Sequence, residues 1–199
     1  SKDGTEHTIT ITIHGTNDEP VITGEAAGAV TEDVDANEAG NLIASGQLTI
    51  TDIDTGEDKF QTEASTITAS DGALGSLSIT AEGEWTYTVD NDKVQYLGAG
   101  DKKEETFTVK SKDGTEHTIT ITIHGTNDGA EIGGVDTGAV TEDESVVEGK
   151  LSVGGQLTVD DVDGEDEESF QTESVVASDD ALGSLVISET GEWTYTVDN

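Results

Sequence analysis

Residues 111–128 read SKDGTEHTITITIHGTND, and residues 1–18 carry the same eighteen letters. An identical stretch returning at an offset of 110 makes the chain an array of repeats. Inside it, Ile alternates strictly with Thr from residue 118 to 123. That period of two is the signature of a strand with one face buried. The stretch closes on Gly-Thr-Asn-Asp, a polar, acidic junction where one repeat passes to the next.

The repeat extends outward from there. Ala29-Val-Thr-Glu-Asp33 returns at residues 139–143, and Phe60-Gln-Thr-Glu63 at residues 170–173. Gly83-Glu-Trp-Thr-Tyr-Thr-Val-Asp-Asn91 returns unchanged at residues 191–199. The expected organisation is the final strand of a preceding repeat in 1–18, a complete repeat in 19–128, and a truncated following repeat in 129–199. The sequence opens mid-repeat, so an excised piece of a longer array is expected, with targeting signals elsewhere. A unit of about 110 residues is large enough to bury its own core.

Within 19–128, strands are expected near 21–23, 28–31, 46–51, 65–69, 76–80, 84–89 and 106–110, with 116–124 closing the sheet. Ala81-Glu-Gly83 and Asp113-Gly114 are hairpin signals. One helical turn is expected at 94–97. The expected core is Leu48, Ile50, Phe60, Ile67, Leu77, Ile79, Trp85, Tyr87, Val89, Phe107, Val109, Ile119, Ile121 and Ile123. Regular short strands with turns between them indicate an all-β, antiparallel, Ig-like sandwich.

Composition narrows the function. Forty-four Asp and Glu face eight Lys, a net charge of −36. Nucleic acid is excluded as a partner, because phosphate binding needs a basic footprint. The absence of Cys excludes disulfides, thiolate metal sites and a Cys nucleophile. No apolar run approaches a membrane span. Such acidity normally favours disorder, yet the apolar residues sit in strand-like alternation. Composition leaves two explanations open: neutralisation by a divalent cation, or solubility-driven acidity on a solvated surface.

Thr51-Asp-Ile-Asp54 offers Asp52 and Asp54 on one side of an extended chain, a geometry suited to one cation. Its counterpart is Asp160-Asp-Val-Asp163, with Asp161 and Asp163 in register. Acid clusters follow both: Glu57 and Asp58 in one, Glu165 to Glu168 in the other. Neither matches an EF-hand loop or a glycine-rich calcium repeat. A lone D-x-D reads equally as a solvated acidic loop. Here, however, Asn17-Asp18 and Asn127-Asp128 mark the repeat boundaries, and Thr31-Glu-Asp33 adds acids near a repeat start. Calcium takes six to eight oxygens from carboxylates, amides and carbonyls, and a junction can assemble such a set.

The motifs Gly-Thr-Asn-Asp-Glu-Pro20, Val30-Thr-Glu-Asp33, Thr51-Asp-Ile-Asp54, Gly83-Glu-Trp-Thr-Tyr87, Leu97-Gly-Ala-Gly100 and Gly125-Thr-Asn-Asp128, in this order, resemble the VCBS repeat. The resemblance implies the extender region of giant bacterial adhesins secreted by type I systems, of the RTX type, which act in adhesion and biofilm formation. A more distant similarity is to cadherin repeats, in which a Glu near the start, a D-x-D and a terminal N-D bind calcium between domains. Carried over, Asn17, Asp18, Asp52 and Asp54 serve the first junction; Glu32, Asn127, Asp128, Asp161 and Asp163 serve the second. The cadherin L-D-x-E element is not reproduced. Asp101, with Glu104 and Glu105 behind it, is the candidate at that place. The second junction reads Asp128-Gly129 where the first reads Asp18-Glu19-Pro20, so a looser linker is expected there.

His7 and His14, like His117 and His124, are seven apart. That odd offset sends the two rings to opposite faces and argues against a zinc site. Trp85 and Trp193, in register with tyrosine and valine, read as core rather than as sugar platforms. No nucleophile elbow, phosphate loop or zincin helix is present. The expected function is therefore non-enzymatic: a calcium-stiffened extracellular stalk module. The alternative is a carbohydrate- or peptide-binding sandwich. Expected partners are neighbouring repeats of the same chain. Head-to-tail self-association through the two ends of the fragment is also expected, with neither nucleic acid nor membrane insertion.

Overall fold

A computed structural model describes residues 2–164 and 167–199. Glu165 and Asp166, within the second acid cluster, lie outside the described residues. The chain is all-β. In order, its strands are β1 (Val21–Gly24), β2 (Ala27–Thr31), β3 (Asn41–Thr51), β4 (Thr68–Ala69), β5 (Ser76–Ile79), β6 (Glu84–Asp90), β7 (Lys102–Lys110), β8 (Glu116–His124), β9 (Glu131–Gly134), β10 (Lys150–Asp160), β11 (Ser184–Ile187) and β12 (Glu192–Asp198). Among the described residues they form three four-stranded sheets, ordered β1-β3-β6-β5, β2-β8-β7-β4 and β11-β12-β10-β9.

Alternation sets the buried faces. Trp85, Tyr87 and Val89 of β6 are buried, as are Phe107 and Val109 of β7 and Ile119, Ile121 and Ile123 of β8. The β5–β6 turn uses Gly83 at φ +91°, and the β7–β8 turn uses Gly114 at φ +98°. Contacts divide the chain into two compact units. The first is Ser1–Gly28, Ala44–Tyr87 and Glu105–Ile121. Its core holds Leu48, Phe60, Leu77, Ile79, Trp85, Tyr87, Phe107, Val109, Ile119 and Ile121. There the Tyr87 and Phe107 rings meet at 5.6 Å between centroids. The second unit is Ala29–Ile43, Thr88–Glu104 and Thr122–Asn199. Its buried residues include Val30, Leu42, Val89, Val94, Leu97, Ile123, Leu151 and Trp193.

One pairing departs from the antiparallel rule. The Thr120 amide donates to the Ala26 carbonyl and the Glu32 amide to the His124 carbonyl, both at 2.9 Å. The two bonds advance in the same direction along both strands, so β2 runs parallel to β8.

Four local expectations need correction. Residues 65–69 begin as a 3-10 turn, Ala64–Thr66, before the two-residue β4. The cause is Thr66, whose amide and hydroxyl both donate to the Glu63 carbonyl at 2.8 and 2.6 Å. The 3-10 helix is Asn91–Lys93, earlier than expected and capped by the Asp90 carboxylate accepting from the Asp92 amide at 3.2 Å, while 94–97 is a single turn closed by the Leu97 amide donating to the Val94 carbonyl at 3.0 Å. Ile50 and Ile67 are only half-buried. Residues 6–14, letter for letter the sequence of β8, form no strand, and Ile9, Ile11 and Ile13 are exposed.

Candidate metal centre

The second junction lies within the second unit and is built by strand direction. Because β2 runs parallel to β8, the ends of both strands arrive together. Glu32 follows β2 and is fully buried. Its Oε2 accepts from the Thr126 amide at 3.4 Å, whereas Oε1 has no hydrogen-bond partner. Asp128 follows β8, and its amide donates to Asp163 Oδ2 at 2.8 Å. The Asp163 amide in turn donates to Asp161 Oδ1 at 3.1 Å. Asp128 Oδ2 and Asp163 Oδ1 are also buried without partners. Val162, between Asp161 and Asp163, is exposed, and the segment Asp161 to Asp163 is a turn closed by the hydrogen bond from the Asp163 amide to Asp161 rather than the extended strand exit expected.

The electrostatics show mutual repulsion. Burial pushes the Glu32 carboxyl up to about 7, against the Thr126 hydrogen bond, and Asp128, Asp33 and Asp163 push it further. Asp128 is raised by burial first, then by Asp33, Asp163 and Asp161. Asp33 moves the other way, held low by hydrogen bonds from Asn91 and Gln95. The Asn91 and Gln95 side-chain amides donate to Asp33 Oδ1 at 2.6 and 3.0 Å, and the Asp33 amide donates to Asn91 Oδ1 at 3.0 Å. This clamp holds Asp33 at φ +57°, a left-handed conformation that Asp tolerates better than most residues. The same clamp recurs between Asp143 and Asn199.

The first junction lies within the first unit and repeats the bonding. The Asp18 amide donates to Asp54 Oδ2 at 2.7 Å, and the Asp54 amide to Asp52 Oδ1 at 2.8 Å. Asn17 Nδ2 donates to the Asp18 carbonyl at 3.0 Å, as Asn127 Nδ2 does to the Asp128 carbonyl. Asn17 also reaches Asp113 Oδ2 at 3.3 Å. Asp52 Oδ2 is buried and unpartnered. No counterpart of Glu32 stands among the described residues here.

The structure thus brings Glu32, Asp128, Asp161 and Asp163 together at one junction, and Asn17, Asp18, Asp52 and Asp54 at the other. Asp101 joins the second only through its backbone: its carbonyl accepts from Gly125 and its amide donates to Gly98, both at 3.0 Å. Its side chain is exposed. Among the described residues no three such side chains already enclose an ion-sized space. The donor set is oxygen only, which suits a hard cation. Sequence reasoning missed the Asp33–Asn91–Gln95 clamp. Its signal was present, since Asp33 and Asn91 both lie in stretches that repeat. It also missed the close approach at Gly125, where a Cβ would stand 2.0 Å from the Leu97 carbonyl oxygen.

Parallel β2–β8 pairing in an otherwise antiparallel sandwich, with acidic motifs at its end, defines a cadherin-like Ig fold. The model of the bacterial cadherin-like domain family matches residues 17–125, more than half of the chain, and the chain belongs to that family. Cadherin-like domains are extracellular, adhesion-type domains. Among solved structures, the protocadherin GammaB4 extracellular domain is similar over 94% of this chain and 28% of its own, with 15% identity and a TM-score of 0.45. The human desmocollin-1 ectodomain is similar over 91% of this chain and 34% of its own, with 16% identity and a TM-score of 0.40. Domains 1–6 of the surface layer protein SbsC cover 96% of this chain, which spans 23% of theirs, with 15% identity and a TM-score of 0.34. This chain therefore spans about a third or less of each of these three. No curated protein matches it. No helix among the described residues is long and apolar enough to cross a membrane.

Proposed function

We propose that this chain is a calcium-stiffened extender module of a large secreted bacterial adhesin, of the VCBS and RTX type, projecting adhesive domains from the cell surface in adhesion and biofilm formation. The observation that carries the reading is the repeated junction: Asn-Asp hydrogen-bonded onto D-x-D twice, with carboxylate oxygens buried and unpartnered in both. A buried, unpaired carboxylate is costly. A divalent cation removes that cost by taking the oxygens as ligands.

Glu32, Asp128, Asp161 and Asp163, with Asn127 and Asp101 at the margin, would hold calcium at the second junction. Asn17, Asp18, Asp52 and Asp54 would contribute at the first. Bound calcium supplies charge neutralisation and ties segments that have little apolar surface between them. The glycan-binding alternative loses its platform, because Trp85 and Trp193 are both buried. Their Nε1 groups donate to the carbonyls of Glu25 and Val135 at 2.7 and 2.6 Å.

Calorimetric titration with calcium is the direct test. Extracellular modules bind at about 0.1–1 mM, so saturable heat in that range is expected. Small-angle scattering at saturating calcium then reads stiffness. Asp163→Ala and Asp128→Ala should each leave strand content intact while the particle becomes more flexible. If both variants are as extended as the parent, these residues are not the clamp.

A further inference from the structure

Five aspartates in the chain precede glycine: Asp3, Asp71, Asp113, Asp128 and Asp163. Such a pair can rearrange, because glycine has no Cβ to keep its amide nitrogen away from the aspartate side chain. The fold treats the five differently. Gly4, Gly72, Gly114 and Gly164 stand at φ +87°, +71°, +98° and +119°, and the aspartate before each lies in a turn. Hydrogen bonds close the three inner turns. The Ala73 amide donates to the Ser70 carbonyl at 3.2 Å, the Gly114 amide to the Ser111 carbonyl at 3.0 Å and the Gly164 amide to the Asp161 carbonyl at 3.4 Å. The Asp113 carboxylate is also occupied, accepting from the Ser111 hydroxyl and from the Thr115 amide and hydroxyl.

Asp128–Gly129 is the exception. Residues 125–130 belong to neither strand nor turn, and Gly129 is exposed and outside the positive-φ region. Among the described residues its amide makes no hydrogen bond. Nothing lies within 4 Å of where its Cβ would stand, so the backbone has room to rotate. The openness belongs to the position, since Glu19, at the same place in the first junction, is exposed too. Asp128 Oδ2 has no hydrogen-bond partner to restrain it. The Asp128 main-chain carbonyl accepts from Asn127 Nδ2, which polarises its carbon.

We propose that Asp128–Gly129 is a self-modification site, where the chain passes through a succinimide to isoaspartate without an enzyme. The Gly129 nitrogen attacks Asp128 Cγ. An N–Cγ bond forms, a Cγ–O bond of the carboxyl breaks, and the amide proton leaves with the carboxyl hydroxyl as one water. Solvent water then opens the ring. Attack at Cγ restores aspartate. Attack at the main-chain carbonyl carbon breaks its bond to nitrogen, returns a proton to that nitrogen and leaves Gly129 joined through the former side chain. Asn127 donates to the oxygen that becomes negative in this second course and so favours it. Isoaspartate lengthens the backbone by one carbon and shortens the side chain by one. The carboxylate beside Asp163 is thereby lost from its place, and the junction ages whether or not it holds an ion.

The test is run in chelator, so it does not rest on calcium. The chain is aged folded and, in parallel, unfolded in guanidinium chloride. Digestion with an endoproteinase that cuts before aspartate but not before isoaspartate, read by mass spectrometry, follows each site. Unfolded, the sites should react at similar rates. Folding should slow Asp71, Asp113 and Asp163 severalfold and leave Asp128 near its unfolded rate. Gly129→Ala should lose most of the isoaspartate at 128 with an unchanged thermal melt. Asn127→Ala, aged in heavy-oxygen water, should shift the labelled products from isoaspartate towards aspartate. Folding that slows Asp128 as much as the three inner turn sites overturns the proposal, and so does an unchanged rate in Gly129→Ala. An unchanged product ratio in Asn127→Ala overturns the part given to Asn127.

Discussion

Glu32 is a fully buried carboxylate with one oxygen hydrogen-bonded and one not. Its folded value near 7 stands above the ordinary 4.5. Between those two values the folded state holds more protons than the unfolded one, so stability falls as pH rises across this window. The stabilisation is full below about 4.5 and lost above about 7. The span corresponds to at most roughly 3 kcal/mol. Asp128 is shifted in the same direction, whereas Asp33, held low, loses its contribution only as pH drops below the ordinary carboxylate range. Urea midpoints in chelator should therefore rise as pH is taken from 8 to 5. Glu32→Gln should flatten much of that slope and raise the midpoint at pH 8. A metal-free protein more stable at pH 8 than at pH 5 would contradict the assignment. In the calcium-bound form proposed above, the ion would displace the same proton, so its affinity should weaken as pH falls below 7. A second buried carboxylate has no such vacancy. Glu105 accepts from the Leu74 and Gly75 amides at 2.6 and 3.2 Å and from the Tyr87 hydroxyl at 2.8 Å. Tyr87→Phe removes one of those three donors and should cost about 1–3 kcal/mol. It should lower the urea midpoint without changing the slope of the transition or the calcium response.

Strand direction decides what reaches the junction. The parallel β2–β8 pairing delivers Glu32 beside the Thr126–Asp128 segment, and Gly125 lets the chain turn there against the 97–98 backbone. A Cβ at Gly125 would stand 2.0 and 2.4 Å from the carbonyl oxygens of Leu97 and Gly98, contacts that no rotamer relieves. Gly125→Ala should therefore lower stability by about 1–3 kcal/mol and weaken calcium binding. Gly129→Ala, with nothing within 4 Å, should do neither. Equal thermal melts for the two variants would refute this account. The element scale also shows what the sequence made legible. Alternation correctly assigned the buried face of β6, β7 and β8, but the strand expected at 106–110 began too late to include Glu105, which is buried in step with Phe107 and Val109. It could not place Leu42, Val94 and Leu97, whose burial depends on a strand beginning and on irregular segments without a period. It misread 65–69 because Ser, Thr and Ile favour strands, while the Thr66 hydroxyl closes a turn locally. Residues 6–14 mark the limit: the pattern names the face that will be buried, but pairing needs a partner sheet. At the junction, D-x-D and Asn-Asp were legible because they repeat, whereas the Asp33–Asn91–Gln95 clamp joins residues 58 and 62 positions apart.

At the scale of the whole molecule the dominant quantity is the net charge of −36. The ion pairs Lys59–Glu82, Lys110–Glu116 and Lys150–Asp198 each have at least one well-exposed partner, and pairs of that kind contribute little. Unpaired acids therefore repel one another and weaken the folded state. Two remedies act differently. Monovalent salt screens: the Debye length falls from about 10 Å at 0.1 M to about 3 Å at 1 M. Calcium screens too, but a bound ion also stabilises by linkage, roughly 2.7 kcal/mol per site at a hundredfold excess over Kd. Thermal melts separate them. Sodium chloride should raise Tm gradually and without saturation at a defined concentration. At matched ionic strength, calcium should raise it further and saturate, while magnesium, which demands near-ideal octahedral geometry and keeps its waters, should do less. Glu32→Gln with Asp163→Ala should retain the sodium response and lose most of the calcium excess, because two of forty-four acids barely change the screening but take two negative charges from the proposed calcium site. If calcium and sodium give the same Tm at matched ionic strength, the acidity is a surface property and the junction holds no ion.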